Sequence, residues 1–380
     1  MSNLSVRSSS QNFHNSNKES QHEKFEGFDF LRTVFAIAIV AIHANLFLLV
    51  KDLKIGSLSL EPILSANVAY LAVPVFFQIS LFLFYRKSLK AGFNYFLQKS
   101  LPKIVSLYLF WVISKIIFDI LLKGKSEPLQ HGLSSPRAFI ELTISGGSSP
   151  LYFFFSLAFI TTLTEFFLIL LRRIKKNSVK SMLLYSLLIA SFILVTFFSI
   201  LRLPNTFIEV SSGLLKFKSG LAQWDYNPLN FLPYIFTSAI AAEEFNAGKL
   251  REFTTRLKIK LSILFTLFLC FTVLEWFLFT DKLQYSRLSL IFGSWLLLYL
   301  AVLAAHEVPK IVRFISGCSL GIYTFHIFLT DGWLTNILLA SLGSFLSPNW
   351  IVLLEFLLAL AGSVGLTLLF RQNKFLKGFV

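Results

Sequence analysis

Two side chains in one apolar stretch carry the first chemical signal. In FDFLRTVFAIAIVAIH, Arg32 and His43 stand eleven residues apart, and the stretch between them, TVFAIAIVAI, is apolar with small residues. In a helix, eleven steps of about 100° return a side chain to within about 20° of its starting direction, about 16 Å further along the axis. Arg32 and His43 therefore belong on one helix face. An anion held at Arg32 can extend along that face as a long, thin ligand towards the imidazole. The bland reading of the same residues is an interface-anchoring Arg plus a His bonded to a neighbouring helix. A second signal comes late in the chain. ISGCSLGIYTFHIFL places Ser316, Ser319, Tyr323 and His326 at i, i+3, i+7 and i+10, one polar stripe on an otherwise apolar helix. Such a stripe serves either catalysis or hydrogen bonding between helices.

The elements that must position these residues follow from composition. Of 380 residues, 55% are hydrophobic, 16% aromatic and 14% charged, and 44 are Phe. Soluble proteins carry roughly 25% charged residues, so this chain has too little charge to solvate a globule of its size. Its apolar residues fall into blocks of about 20, the length that crosses about 30 Å of hydrocarbon as a helix. A soluble enzyme, a coiled coil and a disordered chain are excluded. The expected fold is all-α, a polytopic membrane bundle of about ten transmembrane helices near 28–50, 63–85, 101–122, 150–171, 181–201, 227–247, 259–279, 286–305, 311–330 and 350–370. The sixth, with two prolines and a polar end, is the weakest. A polar, Ser/Asn-rich segment over 1–26 reads as a disordered cytoplasmic tail without a signal-peptide core, 27–371 as the membrane domain, and 372–380 as a short cytoplasmic tail. Cys270 and Cys318 both lie in apolar blocks, so no extracellular disulfide framework is indicated.

The net charge of +15 resolves into a topology. Counted on alternate sides of the ten segments, 24 Lys and Arg fall on one side and 10 on the other, with Lys115 inside a span. The positive-inside rule then puts both termini in the cytoplasm. No aromatic-basic pattern marks a nucleic-acid partner; the expected surroundings are membrane lipid. Ionisable groups at membrane depth mark functional sites by default, and few are present: Arg32, His43, Lys115, Asp119, Glu165, Glu275, His326 and Glu355. Lys115 and Asp119, four apart, can pair on one helix. Glu165 can reach a cation of the following RRIKK. Glu275 and Glu355 lie near the outer surface and can be merely interfacial.

Several segments then resemble, in order, the acyltransferase-3 family of integral membrane acyltransferases. FDFLRTVFAIAIVAIH resembles its first-span signature of an Arg, ten residues and a His; VPVFFQISLFLF resembles its Pro-aromatic-aromatic-x-x-Ser second span. SSPLYFFFSLAFI is similar to its Trp-Phe-Leu fourth-span motif, and SLGIYTFHIFL to its late Ser-x-Gly-Ile-Tyr-x-x-His motif. The chain departs from the pattern at Leu81, where the family usually has Gly, and at Tyr152, where it often has Trp. Its usual Arg-x-x-Arg after the second span stands here as QKSLPK, so that Lys99 and Lys103 are loose substitutes without the bidentate fork of Arg.

The resemblance implies transfer of an acyl group, most often acetyl, from cytoplasmic acyl-CoA to a hydroxyl of a carbohydrate or other envelope-linked acceptor, in a multi-pass protein of a bacterial inner membrane. Under it Arg32, Lys99 and Lys103 hold the donor's phosphates. His43, buried in lipid and neutral, acts as general base or as nucleophile, and His326 and Tyr323 orient the acceptor or assist proton transfer. Acetyl-CoA or another acyl-CoA is the expected donor, with no metal. Acceptor contacts are expected in the outer loops 123–149, with its ISGGSSP, and 202–226, where Trp224, Asp225 and Tyr226 suit a sugar, although an interfacial aromatic belt explains Trp224 and Tyr226 as well. A secondary transporter or flippase for a glycan or lipid-linked intermediate is the alternative on composition alone, though no pair of Gly/Pro-broken helices recurs in two halves.

Overall fold

A helix stands at each of the ten apolar segments, since away from water every backbone N–H and C=O must find its partner within the protein. The computed structural model describes residues 25–56, 58–124, 126–147, 149–202, 226–250, 252–304, 306–330 and 332–380. Almost all of the N-terminal tail, and Trp224 and Asp225, lie outside these residues. In chain order the helices are α1 (Glu26–His43), α2 (Leu60–Asn67), α3 (Ala72–Ala91), α4 (Leu101–Lys123), α5 (Glu127–Leu133), α6 (Pro136–Ile144), α7 (Tyr152–Arg173), α8 (Asn177–Ile200), α9 (Leu232–Asn246), α10 (Thr255–Leu278), α11 (Leu288–Leu303), α12 (Lys310–Thr330), α13 (Trp333–Leu342) and α14 (Pro348–Gln372). The only strand pairing described is a two-residue antiparallel hairpin, Lys54–Ile55 with Leu58–Ser59.

Among the described residues, seven helices are long and apolar enough to cross a membrane: Leu60–Ala91, Phe93–Lys123, Tyr152–Arg173, Asn177–Ile200, Thr255–Leu278, Lys310–Thr330 and Pro348–Gln372. The three remaining segments are shorter or more charged. α1 has 18 residues and carries Glu26, Asp29 and Arg32; α9 has 15 residues and α11 has 16. These three are inner helices, with much of their surface covered by neighbours. α10 is the opposite case: only 11% of its apolar window is buried, against 72% for Leu60–Ala91, so α10 turns its side chains to lipid.

Polar side chains in this interior are paired across helices. Gln78 on α3 donates to Thr237 (2.8 Å) and accepts from Ser238 (2.7 Å), both on α9. Tyr85 donates to Glu243 at 2.7 Å, and Lys260 to Glu244 at 2.7 Å. Lys115 and Asp119 form the expected i,i+4 pair, and Glu165 meets Arg172 of RRIKK at 3.1 Å. Glu275 departs from the expectation of an interfacial residue. It is buried, and accepts from Arg287 Nε at 2.9 Å and from the Ser289 N–H at 3.0 Å. Arg287 also donates to the Ala66 carbonyl (2.9 Å) and to Asn67 Oδ1 (2.5 Å), tying the ends of α2, α10 and α11 together. Glu355, also expected at the interface, is buried on α14. The C-terminal residues fold back onto α4: Phe379 stacks on Phe110 at 4.0 Å, and its carbonyl accepts from Trp111 Nε1 at 3.1 Å. The residues after the last span are thus packed on the bundle.

α1 approaches α11 so closely that only Gly fits at position 27, where a Cβ would stand 2.2 Å from the Ala301 carbonyl oxygen. Backbone cannot swing aside, and overpacking of this kind costs about 1–3 kcal/mol. Gly27→Ala is therefore expected to lower the thermal-unfolding midpoint in detergent. Gly365→Ala, with nothing within 4 Å of its Cβ, should leave it unchanged; equal midpoints would refute the close packing. Breaking the buried Arg287–Glu275 pair should have a larger effect. Arg287→Met leaves a buried carboxylate unpaired, at a cost of about 3–5 kcal/mol. The double variant Arg287→Met with Glu275→Leu should recover part of that loss in the same measurement.

Candidate active site

The site is built on two parallel helices, α1 and α12, joined at their N-terminal ends by polar contacts. Arg313 donates to both carboxylate oxygens of Glu26 (2.9 and 3.1 Å), Ser316 donates to Asp29 at 2.6 Å, and Thr33 donates to the Val312 carbonyl at 2.7 Å. Glu26 and Asp29 lie in the first turn of α1, where a carboxylate also complements the helix dipole. Further along, Ala36 and Val40 pack on Cys318 and Ile322, with Ala359 of α14 closing the cluster. Gly321 makes that closeness possible, because a Cβ there would stand 2.0 Å from Thr367 Oγ1 on α14. This is the Gly of SLGIYTFH, so packing alone accounts for it.

At the far end of this pairing the two histidines meet. The rings of His43 and His326 are 5.0 Å apart, their planes inclined by 43°. Arg32 and His43 share one unbroken helix, as the spacing requires. α1 stops at His43, Asn45 takes a left-handed conformation (φ 55°), and a 3-10 turn over Leu46–Val50 follows. His43 is consequently exposed at the helix end and lines a cavity. His326 is fully buried, with 0% exposure. Its Nδ1 lies 3.2 Å from the Ile322 carbonyl. A carbonyl only accepts, so Nδ1 carries the proton and Nε2 keeps its lone pair. That Nε2 is buried with no hydrogen-bond partner among the described residues.

Two cavities meet at Tyr323, whose ring is 5.9 Å from that of His326. The first, about 380 Å³, has a cationic rim of Arg32, Lys87 and Lys103 and includes Ser80, Ser319 and Tyr323. The second, about 340 Å³, holds His43 among Tyr70, Tyr152, Tyr226, Tyr285 and Tyr323, with Ser149 and Pro150 at its wall. Of the sequence-derived candidates, Arg32, Lys103, His43, His326 and Tyr323 converge here. Lys99 does not line either cavity and is exposed on the turn before α4. The polar stripe of α12 divides its work: Ser316 bonds Asp29, Ser319 and Tyr323 face the first cavity, and His326 faces His43. Lys87 escaped the sequence reading, although it lies seven residues after Ser80 and so shares its helix face. The tyrosines carry no comparable signal, since they come from separate segments. Among the described residues, no group of three or more His, Cys, Asp or Glu is placed to hold a metal ion.

A family model described as an acyltransferase domain, that of acyltransferase-3, matches residues 25–371. The chain belongs to the acyltransferase-3 family. No curated protein and no solved structure matches it. In this membrane acyltransferase the matched region starts one residue before α1 and ends within α14, so it encloses both cavities and both histidines. The tyrosine at position 152, a departure from the family's Trp, lines the cavity of His43. The contrast between the two histidines can be read chemically. Treatment with diethylpyrocarbonate followed by peptide mass spectrometry is expected to modify exposed His43 and to spare His326. Equal labelling of both would contradict the burial of His326.

Proposed function

We propose that this protein is an O-acyltransferase of a bacterial inner membrane, taking an acyl group, acetyl in the simplest case, from cytoplasmic acyl-CoA. The acceptor is a hydroxyl of a carbohydrate or other envelope-linked molecule, and both chain termini are cytoplasmic, as the positive-inside count favours. One observation carries the reading: His43, its ring 5.0 Å from that of His326, lines a cavity of tyrosines that meets, at Tyr323, a cavity rimmed by three cations. The first suits the donor. Acyl-CoA is a polyanion with a long pantetheine arm, and clustered cations bind phosphate through charge-assisted hydrogen bonds. Arg32, Lys87 and Lys103 take its phosphates, with Lys99 adding charge nearby, and the arm follows α1 for about 16 Å towards His43. The second cavity suits the acceptor, because tyrosine rings stack on sugar faces and phenols hydrogen-bond to hydroxyls.

In the transfer, His43 takes the proton of the acceptor hydroxyl as its oxygen attacks the thioester carbonyl. The C–S bond breaks, an ester forms, and the proton leaves with the CoA thiolate as the thiol. The same imidazole can instead attack the carbonyl first and pass the acyl group on. His326, its ring 5.0 Å from that of His43, assists proton transfer. Tyr323 adds a phenol at the boundary of the two cavities.

The test uses purified protein and labelled acetyl-CoA. His43→Ala is expected to reduce His43-dependent acetyl transfer or hydrolysis by about 10²–10⁴-fold, the usual contribution of acid–base catalysis, with expression and unfolding midpoint preserved. Arg32→Ala should raise KM for the donor more than it lowers kcat, because binding rather than chemistry is lost. Normal acylation by His43→Ala would remove that residue from the mechanism. Uptake of a glycan into sealed vesicles without CoA would favour a transporter instead.

A further inference from the structure

Among the described residues, one side chain alone lines both cavities, and it is Tyr323. Its ring sits against Phe153 (5.1 Å), Phe154 (5.8 Å) and Phe76 (6.5 Å), the aromatic floor of the cationic cavity. Its hydroxyl donates to the Pro150 carbonyl, in the wall of the tyrosine-lined cavity. That carbonyl follows a constrained turn. Gly146 (φ 60°) and Gly147 (φ 75°) both take conformations that favour glycine, and a Cβ on Gly146 would lie 2.6 Å from the Tyr152 nitrogen. Ser149 closes the turn by donating to the Gly146 carbonyl at 2.6 Å. Tyr323 is therefore clamped at both ends of its side chain, by packed rings on one side and a fixed acceptor on the other.

A membrane protein with two cavities that meet inside it must not leave an open aqueous path from one side of the membrane to the other. Apolar and aromatic constrictions close such paths by excluding water and ions. We propose that Tyr323 is the partition between the two compartments, held shut by its bond to Pro150, and that it determines specificity for the acceptor hydroxyl over water. The assignment of donor and acceptor to the two cavities rests on the function proposed above; the sealing role does not. With the ring in place, a thioester in the cationic cavity is kept from His43 and from water on the far side. Rotation of the ring about its side-chain bonds joins the cavities and admits the thioester. If the partition stands open with no acceptor seated, water attacks the thioester carbonyl in its stead, the C–S bond breaks, and the products are the free acid and the CoA thiol.

The experiment uses the full chain in proteoliposomes loaded with a pH-sensitive dye, without donor or acceptor, and follows proton entry after an external pH step. Tyr323→Ala, which removes the ring, is expected to leak more than tenfold faster than the unaltered protein. Tyr323→Phe keeps the ring but loses its hydrogen bond to Pro150. It should leak about two- to tenfold faster, the shift that one net hydrogen bond controls. Both variants should also raise acetyl-CoA hydrolysis relative to transfer. Proton entry at the unaltered rate in Tyr323→Ala overturns the partition; if that variant does not reconstitute, an unaltered rate in Tyr323→Phe does so. Because the leak is read without substrates, a protein that seals through Tyr323 yet transfers no acyl group would sink the proposed function and leave the partition standing.

Discussion

The architecture depends on the parallel contact between α1 and α12. Its N-terminal end is fixed by charge and hydrogen bonds, Glu26 with Arg313 and Asp29 with Ser316, and its middle by small side chains that let the backbones approach. Between membrane helices there is no hydrophobic driving force of the kind that works in water, so close packing and interhelical hydrogen bonds decide which helices pair. Here they decide more than pairing. With the register set by the polar contacts, His43 and His326 are delivered to the same level without any direct contact having to select that level.

A second anchor acts at the opposite end of the bundle. Arg287 gathers Glu275 on one side with the Ala66 carbonyl and Asn67, from a distant part of the chain, into one buried node. Tyr285 and Leu283 lie just before it in sequence and line the cavity of His43. A loop at that position would ordinarily be free to vary; the node fixes it. The tyrosine cavity thus has its wall set by ionic bonding on one side and by the glycine turn before Pro150 on the other.

Much of this was legible in the residues themselves. Helical spacing was enough to place Arg32 and His43 on one face, to assemble the stripe of α12, and to pair Lys115 with Asp119 and Glu165 with Arg172. These are relations within one helix, or across a single turn beyond it, and periodicity reports them directly. Relations between helices were not legible. Glu275 read as interfacial because its partner, Arg287, stands twelve residues away across a loop. The exposure of His43 depends on a helix that stops where hydropathy continues, through the backbone of Asn45. Lys99 and Lys103 looked equivalent in sequence, yet only Lys103 turns into the cavity. The cationic rim draws on two further elements, Lys87 of α3 and Lys103 of α4.

The unbroken helix from Arg32 to His43 has a further consequence: α1 acts as a ruler. No loop or hinge lies between the two residues, so the distance from the cationic rim to the imidazole is fixed by hydrogen-bonded backbone rather than by adjustable side chains. One residue inserted between them would advance His43 by about 1.5 Å and turn it by about 100°, off the shared face. Four would nearly restore the direction but add about 6 Å to the span. Neither can be absorbed by local rearrangement, since α1 is pinned to α12 at its first turn. The length of a ligand that spans the two residues is therefore dictated by the count of residues in this helix, and evolution of a longer or shorter ligand would have to begin there.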